Sequence, residues 1–529
     1  MLHSAFATRG MVTAPHHLAA EAGRDVLRDG GNAIEAMVAA AAAIAVVYPH
    51  MNAIGGDGFW LISRAGAAPV GIDACGPAAA AATPDLYRAA GHAAIPARGP
   101  LAALTVAGTI GGWIVALDLA RQWGGRLPLP RLLEPAIGHA RDGFGATPSQ
   151  VANTAARENE CRAVPGFADT FLPGGVPPAI GDRFALPALG ATLERLAAAG
   201  LDDFYRGDVA AALSADLAAV GSPVARGDLA GFRARAVAPL STAIRAGTLY
   251  NMPPPTQGLA SLLILAQFDR LACAAADGFD HVHLLIEATK QAFRVRDRHV
   301  TDPAFMDIDP AALLAPDCVA AMAAAIDPAT AAGWARGEDK GDTIWMGAID
   351  GAGNAVSFIQ SVYWEFGSGV VLPHTGVVWQ NRGASFSLDP AARNPLVPGR
   401  RPFHTLNPAL ARLADGSTMV YGTMGGEGQP QTQAAVFTRH VMFGQGLQAA
   451  ITAPRWLLGR TWGSESTTLK IEPRFAPGVI EALAKAGHEI EITAPFSETL
   501  GHAGALVRRP GGVIEGASDP RSDGRAAGF

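Results

Sequence analysis

The residues with the most to offer chemically are Asp342-Thr343. They follow a small, polar, Gly-containing stretch, Asp327–Lys340, that reads as an exposed loop, and they open a strand. A threonine hydroxyl is a poor nucleophile at neutral pH. It becomes useful when a base sits beside it, and the threonine's own free amine can be that base. An α-amine titrates at about 7.7–8.0, close to working pH. Thr343 would therefore have to be N-terminal, which calls for a backbone cut before it. Residue type alone does not make the case, because a threonine at a strand start is far more often an ordinary strand residue. A second candidate is Gly422-Thr423-Met424-Gly425-Gly426. A glycine pair after a strand and before a helix can turn two N–H groups toward one oxygen, as an oxyanion hole requires. An ordinary tight turn has the same signature. The third is Arg400-Arg401-Pro402-Phe403-His404-Thr405-Leu406-Asn407-Pro408. It could clamp a carboxylate, or its arginines could pair with nearby acids.

The elements that must position these residues change character along the chain. His17–Arg28 reads as a helix, Asp29-Gly30-Gly31 as a turn, and Asn32 as the cap of a second helix from Ala33 to Val47. Gly55-Gly56-Asp57-Gly58 is a glycine loop entering a strand that ends at Ser63, and no Gly-Lys-Ser/Thr follows it to make a phosphate loop. From about Leu104 to Ile326 the apolar period is mostly helical, clearest in Pro187–Ala199, Asp208–Val220 and Gly258–Ala274. Met252-Pro253-Pro254-Pro255 is a rigid extended piece. From Thr343 onward the pattern is of short strands, Thr343–Ile349, Ala355–Val362, Gly369–Leu372, Gly376–Trp379 and Thr418–Gly422, and then a helix over Gln429–Phe443. Helices followed by a strand meander argue for an α+β fold.

Composition narrows the class. With 49% hydrophobic and 17% charged residues the chain is not disordered and can bury a large core. Forty-one basic against 47 acidic residues give a net charge of −6, which offers nucleic acid no reason to bind. The longest apolar run, Ala36–Tyr48, is too short for a membrane span. Met1–Gly10 lacks a basic segment followed by an apolar core, so no secretory signal is read and a cytoplasmic setting is expected. Cys75, Cys161, Cys273 and Cys318 are scattered without a CxxC pair, so neither zinc nor a disulfide framework is expected.

Across nearly its whole length the chain resembles the γ-glutamyltranspeptidase family of N-terminal-nucleophile hydrolases. The resemblance is carried by Gly10-Met11-Val12, Gly30-Gly31-Asn32-Ala33, Gly55-Gly56-Asp57-Gly58-Phe59, Met252-Pro253-Pro254-Pro255, Glu287-Ala288-Thr289-Lys290, Asp302-Pro303, and Gly516-Ala517-Ser518-Asp519-Pro520-Arg521. It implies an αββα sandwich made as a precursor that cuts itself between Asp342 and Thr343. The fragments would be a large subunit, 1–342, and a small subunit, 343–529. Thr343 would attack the Asp342 carbonyl, water would release the fragments, and the freed Thr343 would then attack the substrate amide. Gly425 and Gly426 fall at the family's oxyanion donors, and Ser361 at the hydroxyl that bonds the nucleophile.

The recognition positions depart from the transpeptidase pattern. Asp73 stands where that pattern has an arginine for the glutamyl α-carboxylate, and His404 and Thr405 replace the paired serines beside it. Arg382 and Ser385 replace the Gln and Asp that bind the α-amino group, and Tyr363 replaces the assisting Asn. A cationic Arg382 repels an ammonium, so γ-glutamyl compounds are not the expected substrates. Two branches fit better. One is the oxamate amidohydrolases, which split a small anionic amide into oxalate and ammonia. The other is the acylases that remove dicarboxylic side chains from cephalosporin-type amides. A γ-glutamyl hydrolase with an altered pocket and a relative that never cuts itself stand as rival readings. No metal or cofactor is expected. Glu365 and His374 are read as structural, and His281 and His283 as packing or surface groups. A dimer of the two-fragment unit stays open.

Overall fold

The computed structural model describes residues 3–334, 342–459 and 466–529. Of the expected Asp327–Lys340 loop, 335–340 lies outside them, as does the side chain of Asp342. In chain order the main strands are β1 (Ala5–Ala7), β2 (Gly10–Ala14), β3 (Asp57–Ser63), β4 (Val70–Ala74), β5 (Arg235–Val237), β6 (Leu240–Ile244) and β7 (Gly247–Asn251). There follow β8 (Asp342–Asp350), β9 (Ala355–Tyr363), β10 (Ala409–Leu413), β11 (Thr418–Gly422), β12 (Gly504–Arg508), β13 (Ile514–Ser518) and β14 (Arg525–Gly528). They form two seven-stranded sheets, ordered β1-β13-β12-β11-β10-β7-β6 and β14-β2-β8-β9-β3-β4-β5. Neighbouring strands within both are antiparallel.

Helices cover the outer face of each sheet. The β8–β9 sheet carries α1 (His17–Arg28) and α2 (Ala33–Val47). The other carries α3 (Gly258–Phe268), α4 (Phe279–His299) and α5 (Gly428–Phe437). Every residue of α2 is buried and all but Glu35 are apolar, so its start must be set by polar groups. Asn32 and Glu35 form a reciprocal capping box there, and Asp350 at the end of β8 accepts the Ala33 N–H at 3.0 Å.

Strand alternation sorts the side chains of the sheet that carries Thr343 into two layers. Ile344, Met346 and Ala348 enter the core beneath the helices, while Trp345 and Ile349 face the opposite sheet. Phe358 and Trp60 point to the helices, and Ile359 and Phe59 to the sheet interface. Thr343, Ser361 and Asp57 share the parity of the second set. They therefore belong to the inter-sheet layer at one end of three adjacent strands.

Both of the first helices and the ranges Pro187–Ala199, Asp208–Val220 and Thr418–Gly422 run as the sequence predicts. Three expectations are corrected. The region read as mostly helical also contributes β5, β6 and β7, because Pro239, Gly247 and short polar alternation carry little helical signal but close a sheet edge. Gly258–Ala274 stops at Phe268. Gly369–Leu372 and Gly376–Trp379 hold only isolated bridges, Val371 to Val378 and Trp379 to Gly55, within turned backbone rather than two strands.

Candidate active site

Thr343 lies where the pairing of β8 with β9 slips: Asp342 faces Tyr363, yet Ile344 faces Gln360. Such an irregularity re-aims the side chain that it carries. The buried Thr343 Oγ1 donates to Ser361 Oγ at 3.3 Å, and the same Ser361 oxygen accepts the Tyr363 N–H at 2.8 Å. Tyr363 has φ +84°, a left-handed backbone that a non-glycine residue adopts only when its surroundings impose it. Asn381 supplies that constraint: its N–H bonds the Val362 carbonyl, and its side-chain oxygen accepts the Trp364 N–H.

The glycine pair comes from the facing sheet. Gly425 and Gly426 have φ +112° and +52°, so the chain reverses sharply after β11. Among the described residues neither amide N–H is spent in a hydrogen bond. Gln257 holds the turn from behind, donating to the Gly426 carbonyl at 2.8 Å and the Thr405 carbonyl at 2.7 Å. Buried Arg296 in turn bonds Gln257 Oε1 at 3.0 Å and Glu427 at 2.7 Å. Trp345, two residues after Thr343, ties the two sheets together. Its ring fills the space above Gly422 and Gly504, where an added Cβ would come within 2.2 Å and 2.6 Å of ring atoms. Its indole N–H donates to Ser357 at 2.9 Å.

A buried cation lies beside this group. The Arg382 guanidinium stacks 3.7 Å from the Tyr363 ring centre and donates to Thr405 Oγ1 at 3.2 Å. The neighbouring His404 bonds Asp57 Oδ2 through Nε2 at 3.0 Å, and Asp57 is the register partner of Ser361. The contacts thus close a ring: Thr343, Ser361, Tyr363, Arg382, Thr405, His404, Asp57 and back to Ser361. Burial pushes the Asp57 carboxyl up to about 7, against the pull of the Gly76 N–H, Gln380, Arg382 and the Gly108 N–H. Burial first, and then Arg382, hold His404 well below its ordinary value, so its ring is neutral.

The predicted residues divide accordingly. Thr343, Ser361, Tyr363, Arg382, His404 and Thr405 are brought together. Ser385 turns its hydroxyl to the Phe403 carbonyl. Asp73 stands apart, paired with Arg235 at 3.1 Å and with Arg401, on the wall of a cavity of about 270 Å³ shared with Cys75 and Arg233. Arg401 also binds Asp302, and Arg400 binds Thr301, so these arginines take the pairing role rather than that of a free clamp. Sequence reasoning missed Asp57, Gln257, Arg296 and Glu427. Asp57 had a local signal, an acid inside a glycine loop at a strand start. The others are single polar residues whose partners lie far along the chain.

Two clusters offer metal-ligand chemistry, Asp57-Cys75-His404 and His283-Glu287-His488. In the first, burial pushes the Cys75 thiol well up and away from the thiolate a metal needs, and Arg382 adds a fixed positive charge nearby. In the second, the Lys290 ammonium sits 2.6 Å from Glu287, and His283 bonds His488 at 2.9 Å and the Asp327 carbonyl at 2.9 Å. The second is thereby satisfied as a set of hydrogen-bonded groups. Glu365 pairs with Arg157, His374 with Asp216, and His281 with Thr438. Among the described residues no helix is long and apolar enough to cross a membrane.

Two antiparallel sheets face to face between helical layers, with a hydroxyl residue heading a central strand, define an αββα sandwich of the N-terminal-nucleophile hydrolases. The Gamma-glutamyltranspeptidase family profile matches residues 19–529, and the chain belongs to this family of C–N amide hydrolases. It is 57% identical to the oxamate amidohydrolase proenzyme of Klebsiella pneumoniae, with all of both chains aligned. It is 39% identical to a glutathione hydrolase-like proenzyme of Bacillus subtilis, again over both whole lengths. The cephalosporin acylase of Bacillus halodurans has the same fold, with TM-score 0.92 and 33% identity over 100% of this chain and 97% of that one.

Proposed function

We propose that the chain is a precursor that cuts its own Asp342–Thr343 bond, giving subunits 1–342 and 343–529, and then hydrolyses a small carboxylate-bearing amide. Oxamate, cleaved to oxalate and ammonia, is the substrate that best fits. The observation that carries this reading is Arg382: a buried, permanent cation joined to the candidate nucleophile through Tyr363 and Ser361. A guanidinium in that position favours a carboxylate and repels an ammonium. The 57% identity to a protein named for oxamate amidohydrolysis supports the same choice.

In the uncut chain the Thr343 nitrogen is a peptide amide and cannot act as a base. The cut turns it into an amine able to take the Oγ1 proton as Oγ1 adds to the substrate carbonyl. Oxyanion charge would fall to the Gly425 and Gly426 N–H groups, with Ser361 orienting the hydroxyl. Breaking the C–N bond expels ammonia, which carries away the proton held by the amine, and leaves an acyl ester on Thr343. Water then releases the carboxylate and restores the hydroxyl. The test is turnover across a small panel, read as ammonia release from oxamate and the primary glutaryl amide and as aniline release from γ-glutamyl anilide, with intact-mass analysis of the same sample. Fastest turnover of the glutaryl amide would move the assignment to the acylase branch, which the fold likeness to the cephalosporin acylase favours. A protein that stays one chain yet is fully active would overturn the mechanism.

A further inference from the structure

The oxamate reading leaves one group of the substrate without a partner. Its carboxylate accepts hydrogen bonds and suits Arg382, and its carbonyl accepts and suits the glycine amides. Its amide nitrogen donates, and so needs an acceptor beside those donors. The ring of contacts around Thr343 contains a candidate. His404 Nδ1 is buried and has no hydrogen-bond partner among the described residues, while Nε2 of the same ring is held by Asp57. The residue next to it, Thr405, is the one that Arg382 grips.

Which ring nitrogen carries the proton depends on Asp57. That carboxylate is completely buried, and its Oδ1 accepts from three fixed donors: the Gly76 N–H at 3.0 Å, the Gly108 N–H at 3.1 Å and Gln380 Nε2 at 3.1 Å. These bonds set its rotamer and stabilise its ionised form, leaving Oδ2 to face His404 alone. A carboxylate oxygen there requires Nε2–H, and a neutral imidazole protonated at Nε2 presents a lone pair at Nδ1. Phe59 packs edge-on against the ring, with centroids 4.8 Å apart, and limits its rotation.

We infer that Asp57 is a positioning residue that holds His404 in the Nε2–H form, so that Nδ1 accepts the substrate's amide N–H while Arg382 takes its carboxylate. The site thereby selects primary amides beside a carboxylate over the matching esters. This rests on the hydrolase reading above and names its discriminating group.

The test compares oxamate with monomethyl oxalate, in which an ester oxygen replaces the amide nitrogen, using the processed enzyme at about pH 8.5, where the buried Asp57 is ionised. Asp57→Asn keeps an oxygen for the three donors but turns an NH₂ toward His404. The ring proton must then move to Nδ1, and the acceptor becomes a donor. The ratio of kcat/KM for amide over ester should fall at least about tenfold relative to wild type, with the ester rate held or raised. His404→Gln can still donate to Asp57 but offers no acceptor at the Nδ1 position, and should lose the same preference. If Asp57→Asn stays a single unprocessed chain, His404→Gln decides. A wild-type enzyme active on oxamate whose amide-to-ester ratio both variants leave unchanged would sink this inference alone. Wild-type protein that releases no ammonia from oxamate would remove the functional reading and the inference with it.

Discussion

The two halves of the candidate site are built from opposite materials. One half is neutral and small: the Thr343 and Ser361 hydroxyls, 3.3 Å apart, and the two glycine amides of the facing sheet, placed by strand register and a tight turn. Around Arg382 the groups are charged or titratable and buried, and they are held across long stretches of chain by one another. The neutral half asks little of its surroundings and could serve any acyl group. The charged half is costly to bury, so it persists only with all its partners in place, and under the proposed function it is the half that would select the acyl group.

The comparison can be broken most severely at Thr343. Thr343→Ala should remain a single chain of 54.4 kDa on a denaturing gel and lose activity by about a thousandfold or more. Gly425→Ala comes next. At φ +112° an alanine is strained, the N–H is turned from its direction, and kcat should fall by about a hundredfold with KM little changed. The charged half should respond differently. Arg382→Gln should raise KM for oxamate by about tenfold or more while neutral amides change by less than about twofold. Equal effects on both would remove the carboxylate assignment.

Gly422→Ala tests the link between the halves of the sandwich. Its Cβ would lie 2.2 Å from the Trp345 ring, so the ring must shift, and the unfolding free energy should drop by about 1–3 kcal/mol. The last test is a pH dependence. The Asp57 carboxyl is raised by burial from 3.8 to about 7, so the folded form holds its proton more tightly than the unfolded chain. Its stabilising share is full below about pH 4 and is lost as the pH rises through about 7. Asp57→Asn removes that slope, so the melting temperature of the variant minus that of wild type should climb between about pH 5 and pH 8.

Legibility followed the same divide. The strand from Asp342, the helix beginning at Ala33 and the strand Thr418–Gly422 announce themselves through caps, alternation and glycines within a few residues. The strands Leu240–Ile244 and Gly247–Asn251 did not, because runs of five residues carry a weak period inside a helical neighbourhood. In the site, Arg382 and His404 stood out only against the family pattern. Asp57 was visible as part of a glycine loop but not as a partner, since its contacts are to residues such as Gln380 and His404, more than three hundred positions away.

The sequence by itself determined the family, the αββα class and the identity of the residue heading the central strand, because these rest on local patterns and ordered motifs. By resemblance to the family it also put other residues where glutamyl-recognition groups are expected. Only the tertiary structure decided what replaced them. It set Asp73, Arg400 and Arg401 aside into pairings of their own and gathered Arg382, Thr405, His404 and Asp57 beside Ser361. The reason is physical: a buried charge is tolerable only where the fold supplies its partners, and those partners come from strands and turns that meet only after the two sheets have packed.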